Sequence, residues 1–382
     1  MKKLLLGLLL SFSQSMPAAE YDDPFFQEKL EDLGRALFFD VSLSLDKTQG
    51  CASCHDPAQA FIDWRGSPAG RAASVGNDFK SVGDRNAPTL AYAALIPDFH
   101  INADGEYVGG MFWDGREPDL EGQAGGPFLN PIEMQMPDKA AVVQRLQEHT
   151  LFPEAFEELW GENVFDDVDT AYRHMTEAIA AAERTAFFSP FDSKYDRYLR
   201  GEYDPTEEEE LGMTLFFSQQ FTNCNQCHQL KPFAESEGET FTSNKYFNVA
   251  TPVNKELRAI NGLGEDHKDL GLLENPAVND PAQAGKFKTP TLRNVAMTAP
   301  YMHNGVFNDL ETVVRFYNKF NARGPAADIN PETGELWGEP EVVENIDMEI
   351  LTSAPALDQK RINALVAFMK MLTDKRYEHL VK

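Results

Sequence analysis

The sequence predicts a mainly α-helical chain of two domains that repeat one module, with long loops between the helices. Three observations predict it. "LGRALFF" at 33–39 returns as "LGMTLFF" at 211–217. A five-residue unit follows each copy, "CASCH" at 51–55 and "CNQCH" at 224–228, and together these hold all four cysteines. Apolar residues recur at helical spacing in several stretches, while convincing strands are scarce. At 382 residues the chain is long enough for two domains with a core each. One motif per domain then divides it into a signal peptide at 1–19, an N-terminal domain at 20–200 and a C-terminal domain at 201–382.

The start, "MKKLLLGLLLSFSQSMPAAE", has two lysines, an apolar run from Leu4 to Leu10, and small or polar residues up to Ala19. That is the pattern of a secretory signal peptide, because so short a run cannot span a bilayer. With no cysteine near the cleavage region, no lipid anchor is expected. The mature protein is expected to be soluble, without a membrane span, in a bacterial periplasm. Pro24 opens the first helix, which ends on the first copy of the repeat. Residues 138–159 and 167–187 carry apolar residues at three and four, and Thr206 with Glu209 forms a capping box before the second copy. Residues 357–373 place Ile362, Leu365, Val366 and Met369 on one stripe. The stretches 63–88, 103–131, 250–290 and 321–345 are dense in Gly, Pro, Asn and Asp, and loops of that length need something to organise around. The chain has 34 Lys+Arg against 61 Asp+Glu, a net charge of −27, which excludes nucleic acid as a partner. Such a surface either steers basic proteins towards it or is a solvated coat, the plainer reading.

Two thiols three apart, followed directly by an imidazole, suit covalent attachment of haem. The thiols add to the vinyl groups and the histidine reaches the iron. A zinc site of four cysteines would need far longer spacings than usual, although folding could close the gap. A redox or structural disulfide would not need the histidine. With eight histidines in 382 residues, both motifs end in His by chance about once in two thousand. Two covalently bound c-type haems are therefore expected, on Cys51, Cys54 and His55 and on Cys224, Cys227 and His228, each in a cytochrome c-like domain. Whether the chain is an enzyme turns on the sixth position of each iron: a filled one only shuttles electrons, while an open one binds peroxide.

"RNAPTL" at 85–90, "FWDGR" at 112–116, "NPIEM" at 130–134, "KTPTLRN" at 288–294 and "TAPYMHNG" at 298–305 resemble the bacterial di-haem cytochrome c peroxidases and the related MauG proteins. The resemblance covers nearly the whole mature chain. It implies that the haem on His55 is the peroxidatic one and that the haem on His228 supplies or stores an electron. Trp113 matches the tryptophan between the haems, which relays electrons or holes. Glu133 matches the distal acid that moves a proton between the oxygens of peroxide. Gln123 matches a distal-pocket glutamine of the MauG branch. Asn86, Thr298 and Pro300 match a calcium site between the domains, which binds mostly through backbone carbonyls and waters; residue types alone do not suggest it.

The sixth ligand of the second iron separates the branches. Alignment on "TAP" and "LE" brings Tyr317 to that position, as in MauG-like members, with Met302 as competitor and His303 as a hydrogen-bonding neighbour. A phenolate stabilises ferric or higher iron, whereas a thioether favours ferrous iron. Many di-haem peroxidases have a distal histidine in the loop before "RNAPT", but "SVGNDFKSVGDRN" has none, and Asn77 stands nearest that place. MauG proteins that mature methylamine dehydrogenase carry a tryptophan just upstream of the second haem motif, and Thr222 is there instead. The expected function is a periplasmic peroxidase that reduces hydrogen peroxide at the first haem, with electrons relayed through the second from a small cytochrome c or cupredoxin. The alternatives are a MauG-type oxidase acting on a partner protein and a non-enzymatic electron carrier.

Overall fold

A computed structural model describes residues 23–264 and 266–381. The expected signal peptide at 1–19 lies outside the described residues. Helix α1 (Pro24–Phe39) begins where Asp23 accepts from the Phe25 N–H at 3.1 Å and Pro24 needs no partner for its missing N–H. It buries Phe26, Leu30, Leu33 and Leu37. Helix α2 (Cys51–Cys54) is a single turn made by the first motif. Helix α3 (Leu120–Leu129) lies inside 103–131, which the sequence reads as loop. Its Gly and Pro content hides a helix that Asp119 caps by accepting from the Gly122 N–H at 2.8 Å. The segment 138–159 splits into α4 (Lys139–Glu148) and α5 (Phe152–Trp160), because Pro153 cannot donate and restrains the residue before it. Helix α6 (Val168–Glu183) completes the first half.

The second half holds α7 (Lys194–Leu199), α8 (Glu207–Phe217), α9 (Cys224–Cys227), α10 (Lys255–Asn261), α11 (Leu310–Asn318), α12 (Met348–Leu351) and α13 (Gln359–Met371). Thr206 and Glu209 form the expected capping box at the start of α8. Strands among the described residues amount to two short antiparallel pairs. β1 (His100–Ile101) pairs with β2 (Tyr107–Val108), and β3 (Tyr246–Phe247) with β4 (Phe287–Lys288).

The repeat has a packing cause. Helix α1 crosses α6, and α8 crosses α13, each at the glycine of the repeat. A Cβ at Gly34 would stand 1.8 Å from Ala178 O, and one at Gly212 would stand 1.9 Å from Ala364 O. Only glycine lets two backbones come that close. One apolar cluster surrounds the α1–α6 crossing, with Phe156, Met175 and Ile179, and a second surrounds α8–α13, with Phe216, Phe241 and Phe368.

Polar contacts join the halves around the segment that carries Trp113. Arg85 binds Asp114 at 2.6 Å and Asp269 at 2.6 Å, and the Asn275 amide donates to Asp114 O at 3.1 Å. The Asn86 N–H donates to His303 O at 2.7 Å and the Lys288 N–H to Trp113 O at 2.9 Å.

Candidate active site

Each attachment motif is one helical turn closed by its histidine. The His55 N–H donates to Cys51 O at 2.9 Å, and the His228 N–H to Cys224 O at 2.9 Å. No disulfide joins any of the four cysteines. Nδ1 of His55 meets Phe61 O at 3.1 Å, and Nδ1 of His228 meets Phe241 O at 3.2 Å. A carbonyl can only accept, so Nδ1 carries the proton in both rings and Nε2 keeps its lone pair for a metal. Burial lowers both imidazoles, His228 to about 4, so both are neutral. Phe61 and Phe241 are fully buried with left-handed backbones, φ 57° and 54°. They repeat as the motifs do, but no local pattern in the sequence marks them.

One continuous cavity is lined by both motifs and by every other residue chosen from the sequence: Asn86, Trp113, Gln123, Glu133, Thr298, Pro300 and Tyr317. Several of its buried polar atoms have no protein partner, including Gln49 Oε1 and Glu183 Oε2 beside the first motif and Thr240 Oγ1 and Asn244 Oδ1 beside the second. Cysteines outside any disulfide, two oriented imidazoles and unpartnered polar atoms in one apolar cavity fit two thioether-linked porphyrins.

On the first side, Glu133 and Gln123 face the cavity. Glu133 follows the end of α3, where its N–H donates to Asn130 O at 3.1 Å. Removal from water pushes its carboxyl up to about 7; Arg116 opposes the shift and Asp84 adds to it. Gln123 is buried on α3. Asn77 is not on the cavity wall. Its side chain accepts from the Asp46 N–H at 2.7 Å and donates to Gln135 at 2.7 Å, and its N–H donates to Glu133 O at 2.8 Å. It holds the Glu133 backbone and has no group left for a metal. Among the described residues, the cavity's imidazoles are His55, His228 and His303. His303 pairs with Glu341 at 3.2 Å and stacks on Phe287, ring centroids 3.6 Å apart.

Trp113 lines the cavity, its carbonyl accepting from the Lys288 N–H at 2.9 Å and its indole N–H donating to Asn86 O at 2.8 Å. Asn86 lies beside the segment of Thr298 and Pro300 through its bond to His303 O. Among the described residues, no cluster of three or more His, Cys, Asp or Glu forms a metal site. On the second side, α11 carries Tyr317 to the cavity. Its hydroxyl makes no hydrogen bond to the described protein, and burial and then the Cys227 and Cys224 thiols raise its pKa. Met302 also lines the cavity. Thr222 is buried, its hydroxyl donating to Leu215 O at 2.6 Å. Sequence reasoning missed Glu183 and Lys288, whose burial is set by tertiary contacts alone.

Comparison with known proteins agrees with this geometry. The family described as di-haem cytochrome c peroxidase matches residues 28–204. The methylamine utilization protein MauG of Paracoccus denitrificans is 54% identical over 355 residues, 93% of this chain and 91% of that one. The cytochrome c peroxidase Ccp of Escherichia coli is 30% identical over 289 residues, 75% of this chain and 52% of its own length. Among solved structures, the di-haem peroxidase BthA of Burkholderia thailandensis superposes with a TM-score of 0.80 at 31% identity, over 94% of this chain and 88% of that one. Likeness at this level, running through both halves, places the chain in the di-haem cytochrome c peroxidase and MauG family, as an oxidoreductase with two c-type haems.

Proposed function

We propose that the protein is a periplasmic, peroxide-dependent oxidase of the MauG kind, acting on a partner protein. Cys51, Cys54 and His55 would hold the first haem and Cys224, Cys227 and His228 the second; bound there, the pair would supply an iron for peroxide and a store for an oxidising equivalent. Asn77 is spent on other bonds and is not on the cavity wall, so the first side of the cavity presents Gln123 and Glu133 to a bound oxidant. Glu133, with its carboxyl near neutrality, takes a proton from the inner oxygen of peroxide and returns it to the outer one. The Gln123 amide would orient the oxidant, Trp113 would link the two sides, and Tyr317 would hold the second haem from the protein. Asn86, Thr298 and Pro300 hold one Ca²⁺, chiefly through carbonyl oxygens, at the junction of a 20–200 domain and a 201–382 domain.

The observation that carries this reading is the asymmetry of the cavity. One side has no free imidazole among the described residues, and the other offers a phenol with no other partner. The 54% identity to a MauG protein supports it. Thr222 favours a second reading, a peroxidase fed by a small cytochrome c or cupredoxin, since that position offers no aromatic contact to a protein substrate. Mixing the holoprotein with hydrogen peroxide and reduced small cytochrome c separates the two. Slow cytochrome oxidation, with a long-lived oxidised state when donor is absent, is expected. Rapid turnover would move the assignment to the peroxidase.

A further inference from the structure

Among the described residues, the fully or nearly fully buried cations have carboxylate partners, with one exception. Arg85 is held by Asp114 and Asp269, Arg258 by Glu341 and Arg293 by Asp196. Lys288 is 7% exposed, and its ammonium donates only to Gly110 O. Asp114 is near enough to be felt, but Arg85 and Arg116 already occupy its carboxylate, at 2.6 and 3.1 Å. A buried ammonium without an anion is costly, and here burial pulls its pKa down to about 7. Such a group has a reason to persist only if an anion arrives from outside the chain.

The surroundings say which anion. Lys288 lines the cavity that both attachment motifs share. Its strand β4 leads to Pro290, whose carbonyl lies against the His228 ring, and Thr289 O accepts from Thr242 Oγ1 at 2.6 Å, one residue beyond the Phe241 that orients His228. Two further buried polar groups of the same cavity lack partners, Thr240 Oγ1 and Asn244 Oδ1. Asn244 precedes β3, the strand paired with β4, and its carbonyl accepts from the Gly109 N–H at 2.9 Å, beside the Gly110 that Lys288 touches. Its amide can turn to present N–H instead of oxygen. A buried cation with an amide close to it forms a receptor for a carboxylate, and a porphyrin of the haem type carries two. The structure assigns Lys288, with Asn244 close to it, as the receptor for a carboxylate of the haem on Cys224 and Cys227.

The inference rests on the haem-binding reading and not on the choice of reductant. A positive charge paired with a haem carboxylate favours the ferrous state, so its loss lowers the reduction potential of the second haem. The test uses holoprotein variants Lys288→Gln, Lys288→Met and Lys288→Arg. Haem content is measured by the pyridine haemochrome, and both potentials by spectroelectrochemistry. In Gln and Met, the reduced-to-oxidised ratio of the second haem at fixed ambient potential is expected to fall about tenfold, about 59 mV for one electron. The first haem should move less, and Arg should restore the parent value. A variant that merely loosened the tie to Gly110 would melt earlier without moving one potential selectively. Haem absent from Gln and Met but present in Arg would also support the pairing. Potentials unchanged in loaded Gln and Met, or haem absent from all three, would overturn it. Loss of haem from the parent protein itself would instead sink the haem-binding reading.

Discussion

Replacing Glu133 with Gln removes the ionisable carboxyl proposed as proton carrier from the first side of the cavity while keeping its shape. Burial, opposed by Arg116 and aided by Asp84, puts the carboxyl at about 7 against an ordinary 4.5. To accept a proton from peroxide the group must be ionised, so the rate of reaction with hydrogen peroxide should rise with pH and level off above neutrality. With a midpoint near 7, half of the molecules are competent at pH 7 and roughly one in eleven at pH 6, so the parent rate should drop about fivefold over that interval. Glu133→Gln should be slower by about 10² or more, the ordinary worth of a positioned acid–base group, and should lose this pH dependence. Stopped-flow absorbance after mixing with peroxide reads both effects, and the resting spectrum should hardly change. An equal rate, or the same pH profile in the variant, would refute the role.

Tyr317→Phe should alter only the low-spin signal in electron paramagnetic resonance of the resting ferric protein and leave the high-spin signal intact, whereas Met302→Leu should alter neither; the opposite pattern would transfer the ligand role to Met302. Gly212→Ala should cost about 3 kcal/mol, the upper end of overpacking, because the new methyl would meet Ala364 O at 1.9 Å and no side-chain motion relieves a backbone clash. Chemical denaturation of the holoprotein checks this, and an unchanged midpoint would contradict the crossing described for α8 and α13. Glu183 is buried with one oxygen unpartnered, and burial pushes its carboxyl from 4.5 up to about 8. The fold therefore keeps a proton that the unfolded chain releases near 4.5, and the stability this contributes is lost as pH rises through 8. In Glu183→Gln, the denaturation midpoint should fall less steeply between pH 6 and 9 than in the parent, and parallel curves would count against a buried neutral acid.

The chemistry of attachment was legible because it is local: Cys-x-x-Cys-His is one helical turn, and the turn is what forms. The duplicated Leu-Gly-x-x-Leu-Phe-Phe was visible as a repeat, but its reason was not. That Gly34 and Gly212 sit at backbone crossings depends on partners at Ala178 and Ala364, more than 140 residues away. Helix α3 was missed because Gly125, Gly126 and Pro127 oppose a helix by propensity, while Asp119 and burial of Leu120 and Phe128 decide for it. Asn77 was placed correctly in its loop, yet its bonds to Asp46, Gln135 and Glu133 give it a supporting task that no motif conveys. Lys288 stood inside a quoted motif without comment, since a lysine becomes unusual only when the fold withholds both water and a counter-ion.

The bond from the Trp113 indole to Asn86 O carries a last consequence. A peptide oxygen is far too weak a base to take the indole proton. If Trp113 gives up an electron, it therefore remains a protonated radical cation, and the lost electron can return with no proton to recover. A carboxylate in the same place would drain that proton and trap the ring as a neutral radical. With a main-chain acceptor, any electron passage through this tryptophan would be reversible and independent of bulk acidity.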